Sequence, residues 1–241
     1  MKILSIGNSF SQDAHNFLHK LAKANGAELT TANLYIGGCS LETHHKNVVE
    51  NNAYYDFELN GGSPERKISI KEALELDRWD IITLQQVSQL SGIFDSYEPY
   101  LTSLASMVRK AQPNAKIYFH QTWAYEIDST HGGFTNYNNN QTEMYRRIIE
   151  TSEIAAKTIN AEIIPSGKVI QTLREDVPLF DYKNGGLSLC RDGFHLSLNY
   201  GRYAVAATWL RTLTKMDIKY TDFEDFEPES LRKILNVVNS I

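Results

Sequence analysis

Lys2-Ile3-Leu4-Ser5-Ile6-Gly7-Asn8-Ser9-Phe10-Ser11 is the stretch on which the reading of the fold turns. Lys2–Ile6 is a short apolar run, as expected of a buried strand. Gly7 ends it, and Ser11–Asn25 follows with Phe17, Leu18, Leu21 and Ala22 on one face at helical spacing. Gly26 then stops the helix, as glycine does just past a helix end. A buried strand that turns at once into an amphipathic helix is the opening of an α/β unit.

Working outward, the same alternation recurs. Leu29–Ile36, Trp79–Leu84, Ala115–Phe119 and Glu162–Ile164 are further strand candidates, making about five. Helical patterns lie between and after them, at 69–77, 98–111, 140–160, 200–214 and 229–239. Near-continuous apolar strands alternating with helices predict a central parallel sheet covered on both faces. Two segments break the rhythm. Residues 43–68, with Tyr54, Tyr55 and Phe57 before Asn60-Gly61-Gly62-Ser63-Pro64, read as an inserted edge hairpin or long loop. Residues 126–140 read as a polar loop, of the kind that often carries a binding surface. No linker and no repeat divides the 241 residues.

Composition narrows the function. Hydrophobic residues make up 42 % and charged residues 22 %, a globular mix. The net charge is −5 without a basic stripe, which argues against a nucleic-acid partner. No apolar run approaches the roughly 20 residues of a membrane span. Cys39 and Cys190 are expected as free thiols. The chain as it stands reads as cytoplasmic; removal of a leader would make it periplasmic or secreted.

In open α/β sheets, ligands bind beyond the carboxyl ends of the strands. The residues there are Gly7-Asn8-Ser9, Gly37-Gly38-Cys39-Ser40, Gln85 to Gln89, His120-Gln121-Thr122-Trp123 and, late in the chain, Asp192-Gly193-Phe194-His195. Ser9 sits where a strand becomes a helix, near unpaired N–H groups that favour negative charge. The same position suits an ordinary helix cap. Asp192 precedes His195 by three residues, so on a tight turn its carboxylate reaches the imidazole and leaves the other ring nitrogen free for a serine. A plain surface turn gives the same spacing. Gly38 lets its N–H approach an oxyanion, or simply serves a turn with positive φ. Gln85 and Gln89 each offer an amide donor, or a loop hydrogen bond. His120 closes the fourth strand, and Trp123, Tyr125, Phe134 and Tyr137 follow it. These side chains could line the cleft and stack on a sugar ring or an apolar acyl chain, or pack within the loop.

Other chemistries have weaker grounds. His15 and His19 have the spacing of two zinc ligands, but no glutamate follows His15 and no third ligand stands out. Cys39 lacks the strand-to-helix corner of Ser9. The glycine-rich nucleotide motifs are absent. No metal or organic cofactor is expected.

Gly7-Asn8-Ser9-Phe10-Ser11 resembles the Gly-Asp-Ser-Leu block of the SGNH/GDSL hydrolases. Gly38 after Asn33-Leu34-Tyr35-Ile36-Gly37, and Asp192 with His195, follow in that family's order, so the resemblance runs from residue 3 to about residue 210. Two departures stand out. Asn8 replaces the aspartate of the name motif. Leu84-Gln85-Gln86-Val87-Ser88-Gln89 replaces the Gly-x-Asn-Asp block and looks like the Gln-Gly-Glu-Ser-Asn stretch of the carbohydrate acetylesterase branch. The resemblance implies a flavodoxin-like three-layer α/β/α sandwich, with residues 1–241 as a single hydrolase domain. It implies a Ser9–His195–Asp192 triad and an oxyanion hole made by Ser9, Gly38 and either Gln89 or Gln85. The implied activity is hydrolysis of small esters, with O-acetylated sugars as the partner substrates. The competing expectations are a lipid-ester or thioester hydrolase, and a carbohydrate-binding or scaffold protein that has lost catalysis.

Overall fold

The computed structural model of the chain describes residues 1–64 and 66–241. Residue 65, inside the 43–68 segment, lies outside the described residues.

Five strands form the parallel sheet: β1 (Lys2–Gly7), β2 (Thr30–Tyr35), β5 (Ile81–Leu84), β6 (Lys116–His120) and β7 (Glu162–Ile164). Two more, β3 (Tyr55–Leu59) and β4 (Arg66–Ile68), extend one edge antiparallel, so the full order is β4-β3-β2-β1-β5-β6-β7. The parallel strands run second, first, third, fourth, fifth, which is the flavodoxin-like order. The chain leaves β1 toward β2 and later returns on the other side to β5. That reversal opens a crevice at the carboxyl end of β1, where an α/β fold places its ligand.

Strand alternation divides the core. Ile3 faces one layer, packed by α1 (Ser9–Ala24), α6 (Ser166–Asp176), α7 (Tyr200–Thr214) and α8 (Pro228–Ser240). Leu4 and Ile6 face the other, packed by α2 (Leu41–Glu50), α3 (Ile70–Leu76) and α4 (Tyr100–Ala111). The remaining helix, α5 (Gln141–Thr158), contributes to both layers: Met144 and Ile148 to the first, Ala155 and Ala156 to the second. Among the described residues, no helix is long and apolar enough to cross a membrane.

Two helices are absent from the sequence reading. Leu41–Glu50 fell inside the supposed hairpin or loop because its inward residues include polar ones. His44 and Asn47 are buried and bond the Tyr55 hydroxyl, so no apolar stripe marks the face. Ser166–Asp176 is disguised by Pro165 and Gly167, two helix-breaking residue types at its very start. Gly167 is there because Thr122 O would lie 2.1 Å from any Cβ.

Candidate active site

The site begins with how α1 starts. Asn8 is its N-cap: the side-chain oxygen accepts from Phe10 N–H at 3.0 Å, and Ser11 Oγ in return accepts from Asn8 N–H at 3.1 Å. Such a reciprocal box fixes the first turn. A Cβ on Gly7 would stand 2.1 Å from Ser11 Oγ, so only glycine lets the strand end this close to the box. Ser9, the first helical residue, is thereby held half-buried at the mouth of the crevice.

His195 meets it there. Its Nε2 lies 2.9 Å from Ser9 Oγ and its Nδ1 lies 2.7 Å from Asp192 Oδ2. A carboxylate only accepts, so Nδ1–H donates to Asp192, and Nε2 accepts the Ser9 hydroxyl. The other Asp192 oxygen accepts from the backbone N–H groups of His195 at 2.7 Å and Phe194 at 3.2 Å. Burial raises the Asp192 pKa, but the bonds from the His195 ring and from these two N–H groups outweigh it and leave the carboxyl below its ordinary range. Asp192 therefore stays ionised at neutral pH.

The turn that carries Asp192 and His195 is fastened at several points. Glu126 N–H donates to Gly193 O at 2.8 Å, and Trp123 Nε1–H donates to Phe194 O at 2.8 Å. Asp13, fully buried on α1, accepts from Leu196 N–H at 2.9 Å, from Arg202 Nε at 2.8 Å and from Arg191 Nη1 at 3.0 Å. One carboxylate on the serine's own helix thus clamps both flanks of His195. Asp13 is not among the residues that the sequence motifs single out. Its signal was there: an aspartate on the apolar face of α1 between Phe10, Ala14 and Leu18 needs a partner.

On the opposite side of β1, Cys39 N–H closes a turn onto Ile36 O at 3.2 Å, with Gly38 at φ +63°. Asn8 Nδ2 donates to Cys39 O at 3.0 Å, tying this turn to the helix cap. Gly38 is exposed with open space above its Cα.

The two glutamines separate. Gln85 is buried; its Nε2 donates to Asn8 Oδ1 at 2.7 Å and its Oε1 accepts from His120 Nδ1 at 2.7 Å. It is a strut beneath the cap rather than a free donor. Gln89 is half-buried on a 3-10 turn (Ser88–Leu90), and among the described residues only its side-chain Oε1 is engaged, with Ser88 Oγ at 3.4 Å.

The expected substrate contacts of Trp123, Tyr125 and His120 are corrected: all three are buried, at 0, 0 and 1 % exposure. Trp123 stacks on Phe10 with ring centroids 4.1 Å apart. Tyr125 shares a 2.8 Å hydrogen bond with Ser88 Oγ. His120 is pinned between Gln85 and Ser166 Oγ, the latter at 3.0 Å, and burial lowers its pKa to about 3. Phe134 and Tyr137 are buried as well. These aromatics belong to the core, where Phe10 stacks on Trp123 and where Phe134 and Phe194 pack on Tyr125. Cys39 is buried too, its thiol pushed up to about 12 by burial, so it is not a nucleophile. His15 and His19 point apart, to Ser5 Oγ and Leu29 O.

This α/β/α architecture is shared with solved structures described as SGNH and GDSL-like hydrolases. A putative SGNH hydrolase from Slackia heliotrinireducens superposes with a TM-score of 0.60 at 21 % identity, covering 88 % of this chain and 98 % of that one. An acetylxylan esterase from Geobacillus stearothermophilus superposes at 0.52 and 12 % identity, covering 91 and 94 %. Within that fold the chain belongs to the family described as a domain of unknown function, DUF4886, whose profile matches residues 2–236. A crystal structure of a DUF4886 protein from Bacteroides uniformis shares 37 % identity and a TM-score of 0.91, covering 100 % of this chain and 93 % of that one. Among curated proteins none matches the sequence.

Proposed function

We propose that the protein is a serine esterase that hydrolyses small carboxylic esters, with O-acetylated carbohydrates as the substrate class. The observation that carries this reading is the continuous line from Ser9 Oγ through His195 to Asp192, at 2.9 and 2.7 Å. Ser9 Oγ attacks the acyl carbonyl while its proton passes to His195 Nε2. The ionised Asp192 holds the ring in the tautomer that can accept that proton and steadies the imidazolium. The carbonyl oxygen becomes an oxyanion, received by the backbone N–H groups of Ser9 and Gly38 and by the Gln89 amide. Its collapse breaks the C–O bond, and His195 returns the proton to the leaving alcohol. Water repeats the sequence on the acyl-serine and releases the acid.

Several features support the reading. Ser9 lies at a helix N-terminus, where developing negative charge is favoured. The turn bearing Asp192 and His195 is clamped to the serine's own helix, which suits a geometry that must be held before the reaction. Gln89 stands in the block-three segment with an Nε2 that bonds no described residue, whereas both polar atoms of Gln85 are already bonded to other buried groups. An acetylxylan esterase is among the proteins that share the fold, and acetyl groups on sugars are the substrate class drawn from that likeness. A fluorophosphonate probe tests the nucleophile: labelled peptide containing Ser9, lost in Ser9→Ala, supports the reading. A folded protein that resists the probe removes it.

A further inference from the structure

The structure assigns a leaving-group subsite for a sugar ring to Phe194 and His131, a pair that the triad does not use; this assignment rests on the esterase reading above.

Phe194 directly precedes His195, and the two ring centroids are 4.1 Å apart. His131 also packs on Phe194, edge to face, at 4.7 Å. Both side chains are half-buried, unlike the fully buried Trp123 and Tyr125 behind them. The arc continues to Gln89. A Cβ on Gly133 would lie 2.3 Å from Gln89 Cβ and 3.2 Å from His131 Cε1, so these two side chains flank one point. The 3-10 turn Gly132–Tyr137 fixes that contact, because Asn136 Nδ2 and the Tyr137 hydroxyl both donate to Gln89 O, at 3.1 and 3.2 Å. His195, Phe194, His131 and Gln89 therefore form one rim of the crevice.

The chemistry of that rim is specific. His131 Nδ1 accepts from Gly133 N–H at 3.0 Å, so in the neutral ring Nε2 carries the proton. Burial lowers the His131 pKa, the nearby His195 lowers it further, and Asp192 opposes both; the net shift is downward. His131 is thus a neutral N–H donor at neutral pH, beside an aromatic face. Pyranose rings are recognised by this combination: C–H groups rest on the aromatic face, and fixed donors meet the ring oxygens. The alcohol leaves by taking its proton from His195 Nε2, so it must depart next to Phe194. An alkyl leaving group would cover the His131 donor without pairing it, which disfavours such a group.

The test compares wild type with two variants on p-nitrophenyl acetate, ethyl acetate and 6-O-acetyl-D-glucose. His131→Asn keeps an acceptor for Gly133 N–H but has no group at the Nε2 position. His131→Gln reaches that position with an amide donor. For His131→Asn, the ratio of kcat/KM on the sugar ester to kcat/KM on ethyl acetate is expected to fall about tenfold, the size of one lost hydrogen bond, through KM. His131→Gln is expected to recover most of that ratio. An equal fall on all three esters, or an unchanged ratio, overturns the subsite. So does a wild type that cleaves p-nitrophenyl acetate but ignores the sugar ester, and this leaves the esterase reading standing. A wild type inert to all three removes the esterase reading and the subsite together.

Discussion

Replacing Asp13 by asparagine should uncouple the serine's helix from the turn that carries His195. Asp13 is fully buried and accepts from Leu196 N–H, Arg202 Nε and Arg191 Nη1 between 2.8 and 3.2 Å. Asparagine keeps the shape and one acceptor but removes the charge facing two guanidinium groups. Breaking a buried ion pair costs about 3–5 kcal/mol. Here the Arg191 and Arg202 side chains retain 30 and 15 % exposure, so water relieves part of the loss. The low end, about 3 kcal/mol, is therefore expected, which leaves a folded protein of ordinary stability. The catalytic effect is separate. Leu196 follows His195 in the chain, and Ser9 Oγ to His195 Nε2 is a 2.9 Å contact with no slack. A displacement near 1 Å costs about a hundredfold in rate, so a partial shift should lower kcat/KM between roughly tenfold and a hundredfold. Urea unfolding followed by circular dichroism gives the first number. Initial rates on p-nitrophenyl acetate, well below the transition, give the second. An Asp13→Asn protein with wild-type midpoint and wild-type rate would refute the clamp. Lost stability with an intact rate would reduce Asp13 to a packing residue.

The remaining predictions address the other supports. Gln85→Met should destabilise by about 2 kcal/mol, because His120 Nδ1–H loses its acceptor inside the protein, whereas Gln89→Ala should stay within about 0.5 kcal/mol yet lower kcat about a hundredfold. Thermal melts and rates on both variants decide this, and the reverse pattern would move Gln85 into the oxyanion hole. Gly7→Ala places a Cβ 2.1 Å from Ser11 Oγ and should break the capping box, lowering stability by about 1–3 kcal/mol and activity with it. A variant that melts like wild type and keeps its rate contradicts that role. His15, His44 and His120 are held neutral by burial, each lowered from the usual 6.5 to about 3. The unfolded chain takes up protons below 6.5 and the folded one does not until about 3, so stability is full above pH 6.5 and falls as the pH drops. At pH 5 the loss is about 2 kcal/mol for each histidine, and a melting temperature unchanged between pH 7.5 and pH 5 would contradict it.

Much of the architecture is legible in the sequence because strand periodicity and punctuation are local. Lys2–Ile6 and Trp79–Leu84 announce buried strands by composition alone, and the alternation with helices implies the parallel sheet. Helices are hidden where the local signal is contradicted: α2 turns His44 and Asn47 inward, and α6 opens on Pro165 and Gly167. Ser9, Asp192 and His195 stand out because each sits at a place where its chemistry could act, just beyond a strand or on a tight turn. The direction of a side chain is not local. Trp123 and Tyr125 follow a strand as a cleft residue would, yet they face the core because Phe10, Phe134 and Phe194 pack on them. Gln85 and Gln89 are alike in sequence; only the distant His120 and Asn8 occupy one of them. His131 gains its meaning from Phe194, more than sixty residues away, and nothing in the polar 126–140 segment announces that meeting.

The most direct measurement is the hydrolysis of p-nitrophenyl acetate by wild type and Ser9→Ala, side by side, with both shown to be folded. Wild type is expected to turn the ester over, with a fall of several orders of magnitude in Ser9→Ala. Equal activity in the two proteins would contradict the role of Ser9. Two folded but inert proteins would contradict catalysis and leave a binding protein built on a hydrolase fold.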